Sequence, residues 1–240
     1  MGNMYKDRKY SWALFVGCRF DCSYCKPSFQ AILKRWTKPY IDKDGNQKGC
    51  QLCYEYNPHF HEKRLNNKLP RTKGDEFIWI GGSGDISFIS DMNMEKILKK
   101  LKKYPDRTFF FQTKNPKWFQ KWDFPENVLL GTTIETNYWS GVYRVSDAPI
   151  TPQRYIDFLN VKHPRKCITI EPIMFFDLFE MVEWCVNIKP ERIYIGYDSK
   201  QCYLKEPTMG KTLLLINELR LNLPECKIKE KSIRPAWDEK

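Results

Sequence analysis

The stretch "GCRFDCSYC", residues 17–25, places Cys18, Cys22 and Cys25 in a C-x3-C-x2-C spacing. Three thiolates on one short loop suit three corners of a cubane iron–sulfur cluster. The fourth iron is then left without a protein ligand, and a low-potential cluster of this kind is a one-electron donor. A second chemistry is open to some of the same residues. Cys22 and Cys25, taken with Cys50 and Cys53, make two C-x2-C pairs of the kind that hold zinc in a ribbon. That arrangement leaves Cys18 without a role.

Cys50, Cys53, His59 and His61 lie within twelve residues, in "CQLCYEYNPHFH". Two thiols and two imidazoles fill a tetrahedral zinc shell, although C-x2-C-x5-H-x-H is not the spacing of a finger. The same four suit an auxiliary iron–sulfur cluster with histidine replacing cysteine on one iron. One of the cysteines is also a candidate hydrogen-atom donor to a product radical. The plainer reading is a reduced loop with an incidental C-x2-C. Residues 39–75 carry few aliphatic side chains and no sustained period. A segment this long without structure of its own is unusual in a compact domain, and metal ligation is one way to order it.

The N-terminal "MGNMYKDRKY" lacks the apolar core of a signal peptide. No run of eighteen apolar residues occurs, so no membrane span is expected. The expectation is a cytoplasmic protein whose nine cysteines are thiols, metal ligands or buried small residues rather than disulfides. Cys167 and Cys185 read as buried small residues. The 15 Phe, 13 Tyr and 8 Trp argue against disorder.

The net charge of +11 is uneven: residues 1–75 hold 15 Lys or Arg against 7 Asp or Glu. Such a surplus suits a polyanionic partner or simply a soluble surface. Aromatics stand beside basic residues in "KRWTKPY" (34–40) and "YEYNPHFHEKRL" (54–65). Stacking with phosphate contacts would hold single strands or flipped bases, yet no complete nucleic-acid motif is present.

The elements that must position these groups follow a rhythm. Apolar runs "SWALFVG", "EFIWIGG", "RTFFFQT", "NVLLGTTIE", "KCITIEP" and "RIYIGYD" read as strands. Between and after them, "MNMEKILKKLKKY", "NPKWFQKW", "TPQRYIDFLNVK", "DLFEMVEWCVNI" and "PTMGKTLLLINELRLN" read as helices, with Thr151 and Asp177 as caps. Continuous rather than alternating apolar strands imply burial on both faces, hence a parallel sheet with outer helices. Six units of about 35 residues fit a partial version of the eight-unit barrel. The predicted class is therefore α/β, a partial (βα)6 TIM-type barrel of one domain over 1–240, with a Cys/His-containing insertion at 39–75. In such a fold chemistry gathers at the C-terminal strand ends. Those ends carry Gly17 and Cys18, Gly81 to Asp85, Gln112 to Lys114, Thr132 to Glu135, Glu171 and Pro172, and Gly196 to Asp198.

With Tyr24 just before the third cysteine, the C-x3-C-x2-C loop after the first strand resembles the radical S-adenosylmethionine superfamily. The resemblance implies that Cys18, Cys22 and Cys25 bind a 4Fe-4S cluster whose open iron chelates S-adenosylmethionine. It implies reductive cleavage to methionine and a 5'-deoxyadenosyl radical that takes hydrogen from a substrate. "IGGSGD" (80–85) stands where the family has a glycine-rich segment contacting the methionine amino group, which points to Gly81, Gly82, Ser83 and Asp85. The family's acidic third residue is replaced by Ser83, with Asp85 two further on.

By the same resemblance Tyr24 would pack by the adenine, and Lys114 would meet the cofactor carboxylate or a substrate phosphate. Glu135 and Glu171 would bond the ribose or the amino group, or else pair with a nearby Lys or Arg. "FFFQTKNPKWF", "NVLLGTTIE" and "KCITIEPI" are similar to a phage-associated branch of unassigned function, over roughly residues 10–198. An electron donor such as flavodoxin or ferredoxin is the implied partner. The substrate class stays open among nucleobases in DNA or RNA, free nucleotides and peptides. Two other classes stay open: a zinc-stabilised nucleic-acid-binding module without catalysis, and a redox protein that only passes electrons.

Overall fold

A computed structural model describes residues 5–138 and 145–239. It divides into an N-terminal unit, Asp7–Gln112 with Val145–Asp147, and a C-terminal unit formed by the described parts of Met1–Lys6, Thr113–Arg144 and Ala148–Lys240.

In the N-terminal unit, "SWALFVG" does not form one strand. It splits into β1 (Arg8–Trp12) and β2 (Phe15–Gly17). The Leu14 N–H bonds back to the Trp12 carbonyl at 2.8 Å, which turns the chain at Ala13. Arg64 Nη1 donates to the Ala13 carbonyl at 2.6 Å, and the Trp12 indole donates to the Arg64 carbonyl at 2.8 Å. The turn is thus clamped from both sides by one residue.

After β2 come a π-helical turn (Lys26–Gln30), α1 (Ala31–Thr37), the hairpin β3 (Tyr40–Ile41) and β4 (Gln47–Lys48), α2 (Gln51–Glu55) and β5 (His59–Phe60). Then follow β6 (Phe77–Ile80), β7 (Ser83–Gly84), α3 (Asp91–Leu101) and β8 (Phe109–Thr113).

β1, β6 and β8 are parallel neighbours in that order, with Ser11 opposite Trp79 and Trp79 opposite Phe110. β6 is buried at every position, which explains its unbroken apolar sequence. A separate small sheet has the order β5-β2-β7, with β5 antiparallel and β7 parallel to β2. α3 buries Met94, Ile97 and Leu101, the predicted helical stripe.

The C-terminal unit alternates strand and helix. β9 (Val128–Thr133), α4 (Thr151–Leu159), β10 (Lys166–Ile170), α5 (Leu178–Ile188), β11 (Arg192–Gly196), α6 (Met209–Asn222) and β12 (Lys227–Lys231) follow in turn. β9 to β12 lie side by side, all parallel, in chain order. "NPKWFQKW" forms a 3-10 turn (Pro116–Lys121) rather than an α-helix.

Asp177 caps α5 as expected, accepting from the Glu180 N–H at 3.0 Å. Thr151 is the first residue of α4, and Ile150 holds the cap position. Trp184 of α5 stacks on Tyr155 of α4 with centroids 4.5 Å apart and planes 4° from parallel. Tyr5 is buried in this unit, its hydroxyl 2.9 Å from Thr169 Oγ1 and its ring edge-on to Tyr194. Both units are therefore α/β with parallel strands. Among the described residues no helix is long and apolar enough to cross a membrane.

Candidate metal-binding sites

The thiol loop begins where β2 ends. Gly17 has φ +97°, and a Cβ on it would meet the Asn57 carbonyl carbon and oxygen at 2.3 Å. Only glycine tolerates both the positive φ and that approach. The Cys18 N–H then donates to the Tyr56 carbonyl at 3.4 Å. The Phe20 N–H donates to Cys18 Sγ at 3.3 Å, and Ser146 Oγ lies 3.1 Å from Cys22 Sγ. Residues 145–147 strap the loop: the Ser23 N–H bonds the Val145 carbonyl, and the Asp147 N–H bonds the Phe20 carbonyl.

Cys22 is buried, whereas Cys18 and Cys25 are half-buried. Burial first, then the Asp85 carboxylate and the thiols of Cys22 and Cys25, push the Cys18 thiol up. Tyr56 is raised by burial and then by Cys25 and Cys18, and its phenol hydrogen-bonds Cys25. Cys18 thus lies within electrostatic reach of Cys22, Cys25 and Asp85, and Tyr56 within reach of Cys25, Cys18 and Asp85. No motif in the sequence pointed to Tyr56 or Ser146.

The glycine-rich segment is held against this loop by strand pairing, with Ser83 opposite Val16 and Gly84 opposite Gly17. A Cβ on Gly84 would lie 2.1 Å from the Gly17 carbonyl oxygen, and one on Gly82 would lie 2.5 Å from the Trp79 ring. Close packing therefore demands both glycines. Buried Asp85 accepts from the Ser87 N–H at 3.0 Å and the Ser87 hydroxyl at 2.7 Å. Tyr24 is half-buried, and its carbonyl accepts from Ser28 Oγ.

The second cysteine group is tighter. Among the described residues, Cys50, Cys53, His59 and His61 are the one Cys, His, Asp or Glu group that could hold a single metal ion, their ligand atoms all within 4.8 Å. Cys50 stands at the N-cap of α2, and Cys53 faces inward from that helix, fully buried. β5 brings in His59 through its pairing with Val16. His59 Nε2 lies 3.5 Å from Cys50 Sγ and 3.4 Å from Cys53 Sγ; His61 Nε2 lies 3.2 Å from Cys53 Sγ and 2.9 Å from His59 Nε2.

Burial first, then Arg64 and His59, lower His61 to about 4, so its imidazole is neutral near pH 7. Burial, then Cys50, raises the Cys53 thiol to about 12. A ribbon of Cys22, Cys25, Cys50 and Cys53 is not the group that forms. The two histidines complete the set instead.

The remaining predicted residues belong to the C-terminal unit. Glu135 is buried, and its oxygens accept from Lys114 Nζ at 2.5 Å and Arg154 Nη1 at 2.7 Å. Arg154 also donates to the Thr133 carbonyl at 3.0 Å. Glu171 accepts from Lys231, while its Oε2 is buried without a hydrogen-bond partner among the described residues. Burial raises the Glu171 carboxyl, against the pull of Lys231. Both glutamates are thus paired with a basic residue, and Arg154 and Lys231 are partners the sequence did not announce. Cys167 and Cys185 are buried as expected. The chain matches no family model, no curated protein and no solved structure.

Proposed function

We propose that the chain is a radical S-adenosylmethionine enzyme acting on an unidentified substrate, with nucleic acid or a nucleotide as the class that its basic, aromatic-bearing segments favour. The observation that carries this reading is the gathering of Cys18, Cys22 and Cys25 on one loop at the end of β2, beside Asp85 and the glycine-rich segment. Among the described residues they do not make a group that could hold a single ion, as Cys50, Cys53, His59 and His61 do. Three thiolates on one short loop suit three corners of a 4Fe-4S cluster. When bound, such a cluster supplies the low-potential electron for reductive cleavage of S-adenosylmethionine and hydrogen abstraction.

The chain's own part is to hold and tune. The Phe20 N–H, the Ser146 hydroxyl and the Tyr56 phenol each approach one of the three sulfurs, and hydrogen bonds to ligating sulfur stabilise its negative charge. In the C-terminal unit, Glu171 has a buried oxygen with capacity to accept a hydroxyl or ammonium, whereas both oxygens of Glu135 are engaged. The same reading carries the partial (βα)6 barrel, the Cys/His insertion at 39–75 and an electron donor of the flavodoxin or ferredoxin class.

Anaerobic reconstitution with iron and sulfide tests it. Iron and sulfide should load with visible charge-transfer absorption, and S-adenosylmethionine with a reductant should yield 5'-deoxyadenosine. Cys22→Ala should abolish that product without unfolding the chain. A Cys18-containing protein that takes up zinc alone overturns the reading.

A metal-stabilised nucleic-acid-binding module is the second reading. It is favoured by Trp36 and Tyr40, exposed at 82% and 61%, beside Lys34, Arg35 and Lys38. Salt-dependent binding to DNA or RNA that survives Cys18→Ala, with no deoxyadenosine formed, would decide for it.

A further inference from the structure

We infer that Cys50, Cys53, His59 and His61 bind one tetrahedral zinc ion, and that this ion is a structural staple for both ends of the segment carrying Cys18, Cys22 and Cys25. The inference does not depend on what the three-thiol loop itself binds.

The ligand spacing selects the metal. A tetrahedral zinc with bonds of about 2.3 Å to sulfur and about 2.0 Å to nitrogen sets its ligand atoms roughly 3.3–3.8 Å apart. Three of the four sulfur–nitrogen separations are 3.2, 3.4 and 3.5 Å, all four ligand atoms lie within 4.8 Å of one another, and the histidine pair, at 2.9 Å, has only to open slightly. A two-iron cluster with cysteines on one iron and histidines on the other would hold sulfur and nitrogen much farther apart. Two thiolates with two imidazoles in a tetrahedron suit zinc over harder ions. On binding, two S–H bonds break, two Zn–S and two Zn–N bonds form, and two protons pass to solvent. The two thiolate charges balance the ion.

The site is oriented in advance. His59 Nδ1 lies 2.7 Å from the Asn57 carbonyl. A carbonyl only accepts, so the proton is on Nδ1 and the Nε2 lone pair faces the sulfurs. With four protein ligands no coordination position remains for substrate, which marks a structural rather than catalytic ion.

The staple follows from what the ligand-bearing segment touches. At one end, the Tyr56 carbonyl accepts from the Cys18 N–H, and Asn57 packs on Gly17. At the other, the Cys50 N–H donates to the Thr37 carbonyl at 3.1 Å, and Gly49 is pressed so close to Lys38 that a Cβ would sit 2.6 Å from its carbonyl oxygen. Segment 18–37 therefore leaves and returns to the protein body on Cys50 and on residues that stand beside the other ligands, Gly49 next to Cys50 and Tyr56 and Asn57 between Cys53 and His59.

The test uses the full chain carrying Cys18→Ala, Cys22→Ala and Cys25→Ala, so that the first loop contributes no ligand. Elemental analysis should find about one zinc per chain. Cobalt substitution should give the intense visible bands of a tetrahedral S2N2 site. Adding His61→Ala or Cys53→Ser should lose the metal. Should those variants fail to fold, chelator titration of the three-alanine protein gives the same answer: metal release should raise amide exchange across 18–37 roughly tenfold or more, with α5 unchanged. No zinc in the three-alanine protein, zinc retained without His61 and Cys53, iron with sulfide in its place, or release that leaves 18–37 protected would each overturn the inference. Protein with Cys18, Cys22 and Cys25 intact that holds the zinc yet forms no 5'-deoxyadenosine would count only against the radical chemistry.

Discussion

Gly17 is pressed against the carbonyl of Asn57: a Cβ on the glycine would stand 2.3 Å from that carbonyl's carbon and oxygen. This contact joins the end of β2 to the turn between α2 and β5. It is the point where the two cysteine groups share a backbone support. Gly17→Ala meets backbone on one side and a φ of +97° on the other. The backbone strain alone costs roughly 1–3 kcal/mol. Urea denaturation should show at least that loss, and cluster loading at Cys18 should fall with it. An alanine variant of wild-type stability would mean the contact is loose in solution.

Tyr56 carries the phenol that reaches Cys25. Hydrogen bonds to charged groups are worth about 1.5–3 kcal/mol. Tyr56→Phe keeps the ring and removes the bond. Reconstituted Tyr56→Phe should load the same iron and sulfide as wild type, with a shifted cluster potential and deoxyadenosine formation about tenfold or more slower. An unchanged potential would show that the phenol does not touch a metal-bound sulfur.

Glu135 lies between Arg154 and Lys114, and its side chain and that of Arg154 are almost wholly buried. Removing one partner of a buried pair leaves an uncompensated charge and costs about 3–5 kcal/mol. Glu135→Ala should therefore destabilise the chain by about that amount in equilibrium unfolding. Lys114→Ala should cost less, because Lys114 is the more exposed partner and Arg154 still covers the carboxylate. Equal losses would mean the two bases are not ranked by burial.

Glu191 sets a pH dependence. Burial pushes its carboxyl up, but hydrogen bonds from Arg165 and Arg192 outweigh that and hold it at about 2. A folded-state value below the unfolded one contributes stability above the unfolded value, near 4.3, and loses it as pH falls toward the folded one. Unfolding free energy should therefore decline between about pH 4.5 and pH 2. In Glu191→Gln the decline over that window should be shallower, with lower stability at pH 7. An identical acid profile in the variant would place the loss on other carboxylates.

Particular residues show how far sequence reaches. Met94, Ile97 and Leu101 form a stripe that only a helix would bury together, and they are buried in α3. Asp177 before "LFEMVEW" is a cap that needs nothing beyond its own turn. β6, β9, β10 and β11 are buried at every position, so each carries apolar residues on both faces instead of an apolar–polar alternation. β12 is not legible in the sequence: "KIKEK" has one apolar residue among four charged ones, as an edge strand tolerates, so it carries no apolar run. The division of "SWALFVG" was equally hidden, because the turn at Ala13 is held by Arg64, fifty-one positions away.

By themselves the residues determined which side chains have the chemistry to bind metal, and which runs must be strand or helix, because ligand type and local period are properties of short stretches. Only the tertiary structure decided which cysteines and histidines lie close enough to share an ion. Cys50 and Cys53 meet His59 and His61 rather than Cys22 and Cys25 because β5 pairs with β2 at Val16 and His59. That register is set by packing between segments that no local spacing records.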